Sequence, residues 1–362
     1  MPTRREFIAV TAVALAAQAS GLAAVKPAPR PLAILFLGGT GFLGPHQINY
    51  AVARGHRVTM FNRGSNAGMY GDAVEELIGN RDSNIDDGLE VLEGDRTWDV
   101  VVDNSGYVPR HVRDSAMLLK DRCRRYIYVS TVAVYDFEAA SVFPESARLA
   151  SLSDPSIEEV TGETYGPLKA ECDRIARDIL GDACTVVRPT YVVGPGDHTD
   201  RFTYWVDRIN RGGEVLAPDG PNLISQWVDA RDLCPWIVTL AENDTAGVFN
   251  AAGPVSTTTR TGLMWGLIGA STANVELFWP DSSLLEELDI DLPMMGRGDS
   301  ALFVNEASIK AGLDYRSLAD TAAGTLEWWK SRPAERRASP RRWPSPEKEK
   351  TAIASLKASQ DS

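Results

Sequence analysis

The sequence predicts an α/β fold, a parallel sheet with helices on both faces, and three observations carry that prediction. Short apolar runs recur between helical stretches through the first half of the chain. The first of them, Ala33-Ile34-Leu35-Phe36-Leu37, passes directly into a glycine-rich turn, Gly38-Gly39-Thr40-Gly41-Phe42-Leu43-Gly44. An amphipathic helix then runs to about Ala53, Gly55 ends it, and a second strand follows at 57–61. Two strands joined by a helix in this way close a βαβ unit.

Further strands are predicted at 74–78, 98–103, 125–130 and 185–188, with helical stretches between several of them. Their near-continuous apolar character suits strands covered on both faces. After Tyr191 the rhythm breaks into loops rich in Gly, Pro and Asp. Helices are predicted there at 201–209, 261–268 and 318–330, and a last one from Ser345, whose hydroxyl suits an N-cap.

Composition bounds the partners. The chain has 362 residues, 44% hydrophobic and 24% charged, which is globular, and its formal net charge of −12 argues against nucleic acid or an anionic membrane as the partner of the whole body. The cysteines, Cys123, Cys172, Cys184 and Cys234, show no CxxC spacing, and the histidines add no ligand cluster. Neither a metal centre nor a disulfide framework is predicted.

Gly38-x-x-Gly41-x-x-Gly44, between a strand and a helix, is the context in which a backbone turns tightly and meets a pyrophosphate at a helix N-terminus. The fold class therefore sharpens to a Rossmann-type doubly wound parallel sheet with a smaller C-terminal substrate-binding subdomain. The expected organisation is a signal peptide and linker at 1–30 and a dinucleotide-binding domain at 31–190, its sheet completed by 225–253. The substrate-binding subdomain is drawn from 191–224 and 254–335. A charged tail at 336–362 would wrap the surface or stay mobile. At the end of the second strand an acid would select NAD; here Asn62-Arg63 stands instead, which points to NADP over NAD. Arg81 is a second basic candidate near the adenine end.

Tyr165-x-x-x-Lys169 places a phenol and an ammonium on one helix face, where the cation favours the phenolate needed for acid–base work. Upstream, the strand ending Tyr128-Val129-Ser130-Thr131 sets Thr131 at the carboxyl end of the sheet, within reach of a substrate oxygen.

With these residues in place the chain resembles the extended short-chain dehydrogenase/reductase family, also called the NAD-dependent epimerase/dehydratase family. The motifs are GGTGFLG at 38–44, YVSTVAVY at 128–135, Tyr165-x-x-x-Lys169, RPTYVVGPGD at 188–197 and WVDARD at 227–232; from Leu263 onward the likeness is loose. The resemblance implies Tyr165 as general acid/base, Lys169 as its partner and a ligand of the nicotinamide ribose, and Thr131 as the group that orients the substrate. It implies Gly38, Thr40, Gly41, Phe42, Leu43 and Gly44 around the pyrophosphate, with Asn104, Ser105 and Gly106 lining the cofactor. A homodimer through helices near 108–120 and 165–180 is a further implication.

Two departures narrow the chemistry. Val132-Ala133 follows Thr131 where dehydratases of the family carry an Asp-Glu pair, which leaves epimerisation or simple oxidation and reduction. The Arg that grips a nucleotide diphosphate shortly before WVDARD is replaced by Leu223-Ile224-Ser225-Gln226. Arg201, Arg211 and Arg260 are the possible substitutes, and His198, Arg201, Tyr204 and Trp205 are the candidate substrate contacts. The segment 136–161 is a candidate lid.

The leader, Thr3-Arg4-Arg5-Glu6-Phe7-Ile8 before an apolar run and Ala17-Gln18-Ala19, resembles a twin-arginine export signal. Its apolar run is too short for a membrane span. Export of a folded protein to the periplasm would suit an enzyme carrying a captive cofactor and a substrate without a nucleotide handle; if the signal is unused, the protein stays cytoplasmic. A nucleotide-sugar epimerase and a non-catalytic, RNA-associated dinucleotide-binding module are the alternatives.

Overall fold

The computed structural model describes residues 25–294 and 301–360, so the leader reading lies outside the described residues. Seven strands form the main sheet: β1 (Ala33–Leu37), β2 (Arg57–Asn62), β3 (Glu75–Ile78), β4 (Trp98–Asp103), β5 (Cys123–Val129), β6 (Cys184–Pro189) and β7 (Gly247–Ala251). Their order is β3-β2-β1-β4-β5-β6-β7. β1 pairs in parallel with both β2 and β4, Ile34 opposite Val58 on one side and Val100 on the other, and β2–β3 and β4–β5 are parallel too. The chain order reverses between β1 and β4, the switch point of a doubly wound Rossmann-type sheet. Ile34, Leu35, Phe36 and Leu37 are all fully buried, as the central strand of a doubly covered sheet requires.

The chain divides into two compact units. The first runs from the start of the described chain to Val129 and adds Ile175–Thr185 and Cys234–Gly247. Helices α1 (Leu43–Ala53) and α2 (Pro109–Leu119) belong to it. The proline-rich linker before β1 is docked rather than free: the Ala28 N–H donates to the Arg54 carbonyl at 2.8 Å. Beside it His56 accepts from the Leu32 N–H at 3.1 Å and, through its other nitrogen, meets Glu242 at 2.8 Å, while Arg54 reaches both oxygens of the same Glu242. Between β3 and β4 there is no α-helix, only a short 3-10 turn at Glu90–Leu92.

The second unit is Ser130–Arg174, Val186–Leu233 and the described chain from Val248 onward. The expected boundary near 190 thus differs from the observed division, because the segment 130–174 packs with the later part of the chain. This unit holds the start of α3 (Tyr165–Leu180), all of α4 (Arg201–Arg211), and a small sheet of Tyr191–Val193, Ile224–Asp229 and Gly253–Thr259. Its core gathers Phe202, Tyr204, Trp205, Leu263, Met264 and Phe278. The last segment is built into that core. Arg336 donates twice to buried Asp200 at 2.6 Å, the Arg341 N–H reaches the same carboxylate at 2.8 Å, and Trp343 donates to the Asp200 carbonyl. The helix Pro346–Gln360 then buries Ala352 and Ile353, and the Ser345 hydroxyl accepts from the Lys348 N–H as a cap. The sequence shows only charge and proline there, and a carboxylate as distant as Asp200 leaves no local signal. Among the described residues no helix is long and apolar enough to cross a membrane.

Buried Arg188, 1% exposed, donates to Asp173 at 2.8 Å, to the Tyr135 hydroxyl at 2.9 Å and to the Glu145 carbonyl at 2.9 Å. Arg188→Met leaves the Asp173 carboxylate in the core without its counter-charge. The expected loss is about 3–5 kcal/mol of unfolding free energy, read from urea denaturation, and a loss under about 1 kcal/mol would contradict this account.

Candidate active site

In the first unit the glycine turn is shaped by close backbone approach. Gly38 has φ +80°, and a Cβ there would lie 3.1 Å from the Ser105 Cβ. At Gly44 a Cβ would stand 2.0 Å from the Gly39 carbonyl oxygen, so only glycine lets α1 begin this near the turn. Gly41 is exposed, and a Cβ there would meet nothing within 4 Å. The backbone at Gly41 therefore faces open space at the start of a helix, which is what a bound pyrophosphate needs.

Asn104 and Ser105, just past β4, stand against this turn. The Ser105 hydroxyl donates to the Leu37 carbonyl at 3.1 Å, and the Asn104 amide exchanges two hydrogen bonds with Gln47 of α1 at 2.6 and 3.1 Å. With its amide so occupied, Asn104 lines the turn mainly through its backbone. Gly106 is packed under Val112 and Tyr128. Tyr70, which the sequence reading missed, donates to the Gly39 carbonyl at 2.6 Å. It comes from a turn without periodicity, so no pattern marks it.

At the end of β2 the Asn62 amide donates to Glu76 at 2.7 Å, and its oxygen accepts from the Gly64 N–H. The Asn62 hydrogen bond, with a second from the Gly68 N–H, holds the Glu76 carboxyl below the usual range, so it is ionised. Arg63 is exposed. Arg81 does not stand open toward a ligand: it is 9% exposed and bonds Asp103 at 2.5 Å, where the Tyr126 hydroxyl also donates.

In the second unit Thr131 caps a 3-10 turn, Val132–Val134, its oxygen accepting from the Ala133 N–H at 3.2 Å. α3 begins at Tyr165, after a hydrogen-bonded turn in which the Tyr165 N–H meets the Thr161 carbonyl. A Cβ at buried Gly166 would lie 2.3 Å from the Ala133 carbonyl oxygen. This contact seats the first turn of α3 on the turn that Thr131 caps, and so brings the segments of Thr131 and Tyr165 together. Tyr165 is part-exposed, whereas Lys169, one turn along the same face, is 2% exposed. One turn further, Asp173 meets Arg188.

The remaining candidates separate. His198 is exposed on the loop before α4, and Arg201 is part-exposed at the first position of that helix. Tyr204 and Trp205 are core residues instead, 2% and 0% exposed, packed edge to face with ring centroids 4.8 Å apart. Both lie on a helix that is buried on more than one side, Thr203 and Arg208 included, which the aromatic-rich motif alone does not reveal. Arg260 is buried and spent on Asp219, and Arg211 pairs with Asp207. Gln226, in the stretch lacking the expected arginine, exchanges two hydrogen bonds with the Phe303 backbone.

The Gly166 contact yields a direct test. Gly166→Ala forces the α3 start away from the Ala133 carbonyl, with an expected loss of about 1–3 kcal/mol. Gly162→Ala is the control, since a Cβ there meets nothing within 4 Å. It should leave the thermal midpoint unchanged or slightly raised. Equal effects of the two would contradict the packing argument.

The comparisons with known proteins follow the same lines. A sequence profile of the NAD dependent epimerase/dehydratase family matches residues 34–252. The chloroplast stem-loop binding protein of 41 kDa b from Arabidopsis thaliana is 25% identical over 245 residues, 61% of this chain. This chain spans 58% of that relative's length. Among solved structures, the Bordetella bronchiseptica enzyme WbmG, in complex with NAD and UDP, superposes with a TM-score of 0.60 at 16% identity, covering 83% of this chain and 96% of that one. UDP-glucuronic acid 4-epimerase from Bacillus cereus, in complex with NAD, gives 0.58 at 15% identity, covering 82% and 97%. These likenesses establish the fold. The profile match runs through the glycine turn, Thr131, Tyr165, Lys169 and WVDARD, over more than half of the sequence, and by it the chain belongs to the NAD-dependent epimerase/dehydratase family.

Proposed function

We propose that this chain is an NAD(P)-dependent oxidoreductase or epimerase that works at a hydroxyl-bearing carbon of a small substrate. The observation that carries the reading is the seating of Tyr165 on the Thr131 turn through Gly166, with Lys169 buried one turn along. Tyr165 is the general acid/base at the substrate hydroxyl. The Lys169 ammonium favours its phenolate and holds the nicotinamide ribose. Because the Thr131 oxygen already accepts from Ala133, its hydroxyl hydrogen is left to donate to the substrate oxygen. Gly38, Thr40, Gly41, Phe42, Leu43 and Gly44 would hold the pyrophosphate, and Asn104, Ser105 and Gly106 would flank it. The bound nicotinamide supplies a hydride acceptor or donor.

Arg63 argues for NADP, but the ionised Glu76 beside Asn62 supplies a carboxylate at the position where the sequence has no acid. A carboxylate there repels a 2′-phosphate and accepts from a ribose hydroxyl, so NAD is the proposed cofactor. The substrate is one without a nucleotide handle, since Gln226 and Arg260 are both committed elsewhere. A nucleotide-sugar epimerase is the second reading, favoured by the fold neighbours crystallised with NAD and with UDP. Stem-loop binding, for which the Arabidopsis relative is named, fits poorly with a net charge of −12. Export with a captive cofactor, and a dimer through α2 and α3, complete the proposal.

Two measurements test it. Denaturing the purified full chain and identifying the released nucleotide by mass spectrometry should give NAD(H). NADP(H) would reverse the Glu76 argument, and a protein that neither carries nor binds a dinucleotide would overturn the function. Tyr165→Phe should lower nicotinamide reduction, followed by absorbance over a panel of sugars, sugar acids and UDP-sugars, by about 10²–10⁴-fold with NAD affinity retained.

A further inference from the structure

We propose that Arg201 is a preorganised oxyanion grip, so that the substrate carries a carboxylate or a phosphate. The inference deepens the proposed function and rests on it for the identity of the ligand as a substrate.

The side chain of Arg201 is fixed from two directions. Its Nε donates to the Thr199 hydroxyl at 3.0 Å, and its guanidinium lies over the Tyr191 ring, 5.0 Å from the centroid. Thr199 is itself held, its N–H and hydroxyl both donating to one oxygen of Asp197, at 2.8 and 2.6 Å. A long side chain anchored at Nε and stacked on an aromatic face has already lost most of its rotamer freedom. The terminal nitrogens are the two-pronged fork that matches a carboxylate or phosphate.

The charge of that fork is not spent within the protein. In this unit Arg188, Arg208, Arg231, Arg260, Arg316 and Arg336 each pair with a carboxylate. Arg201 forms no such ion pair among the described residues. The neighbouring carboxyl, Asp197, is 1% exposed, and burial pushes it up toward its neutral form against the pull of Thr199 and Arg201. Its second oxygen has no partner among the described residues. The next carboxylate, Asp200, occupies the N-cap position of α4 with φ +59°, yet its side chain turns to Arg336 and the Arg341 N–H instead of capping the helix. The positive end of an eleven-residue helix is therefore left beside Arg201 without an acidic cap.

The test uses the full chain with two probes, inorganic phosphate and glucuronate, by isothermal titration, with NAD affinity of the wild type measured in parallel. Wild type should bind at least one probe. Arg201→Ala should weaken that binding about tenfold or more, and Arg201→Lys nearly as much because the fork is lost while the charge stays. Thr199→Val, which removes the Nε anchor, should fall between. Tighter binding of glucuronate assigns a carboxylate substrate, and tighter phosphate binding a phosphorylated one. Wild type binding neither probe, or Arg201→Ala binding both as well as wild type with an unchanged melting temperature, would overturn the grip. Failure of the wild type to bind NAD, with Arg201-dependent anion binding intact, would instead overturn the proposed function and leave the anion site standing.

Discussion

The contact on which the second unit depends is the buried ion pair between Arg188 and Asp173. Arg188 is the last residue but one of β6, and Asp173 lies on α3 two turns beyond Tyr165. The same guanidinium also holds the Tyr135 hydroxyl and the Glu145 carbonyl, and Tyr135 passes the contact on to Asn250 at 2.6 Å. Asn250 then fixes the Phe143 and Val304 carbonyls. One charged side chain thus orders the helix that carries Tyr165 and Lys169, the turn after Thr131 and the base of the segment 136–161. A pair so fully removed from water adds little net stability over an apolar replacement of both partners, but it tolerates no loss of one. Its contribution is register: α3 can sit against β6 in only one way if Asp173 is to reach Arg188.

Each unit, taken by itself, solves the same steric problem in the same way. A helix must begin so near the preceding turn that no side chain fits, and a glycine stands at that point: Gly44 against the Gly39 carbonyl, Gly166 against the Ala133 carbonyl. In the first case the close approach exposes the N-terminal amides of α1 around an open Gly41. In the second it sets Tyr165 over the Thr131 turn. The two glycines are functionally placed because of what they exclude, not because of what they bind.

What could be read in the sequence, and what could not, follows from the range of the interactions. The strands at 33–37 and 98–103 appear where apolar runs predict them, and the helix starting at Tyr165 appears where its spacing places it, because these signals are local; the strand Gly247–Ala251 carries no such run and is not among the predicted strands. Ser345 caps its helix for the same reason. Arg81 was legible as a basic residue after β3 but not as the partner of Asp103, which lies 22 residues further along the chain. Glu76 was hidden likewise. It lies on β3, and only the parallel pairing of β2 with β3 brings it to Asn62. Tyr204 and Trp205 are buried in the core, and an aromatic-rich motif beside a glycine loop looks the same in sequence whether its rings line a pocket or fill a core. The strap from Arg336 to Trp343 depends on a carboxylate far back in the chain, and its composition alone suggests a solvated tail.

The distribution of arginine bears on what the site can hold. A chain of net charge −12 repels anions at long range, yet ions screen that field over about 8 Å at physiological strength. An anionic substrate therefore needs only a local positive site that is not neutralised within the protein. Arg188, Arg208 and Arg336, elsewhere in the second unit, are each neutralised by a buried carboxylate, where leaving either partner alone is costly. At the loop before α4 the sequence keeps two carboxylates close to Arg201 but withdraws both: Asp197 into the interior, Asp200 to the strap. Withdrawing Asp200 requires Arg336, so the closing segment of the chain has a role beyond covering apolar surface. It keeps the acid at the head of α4 turned away from the one guanidinium there that is stacked, anchored and still able to accept an oxyanion.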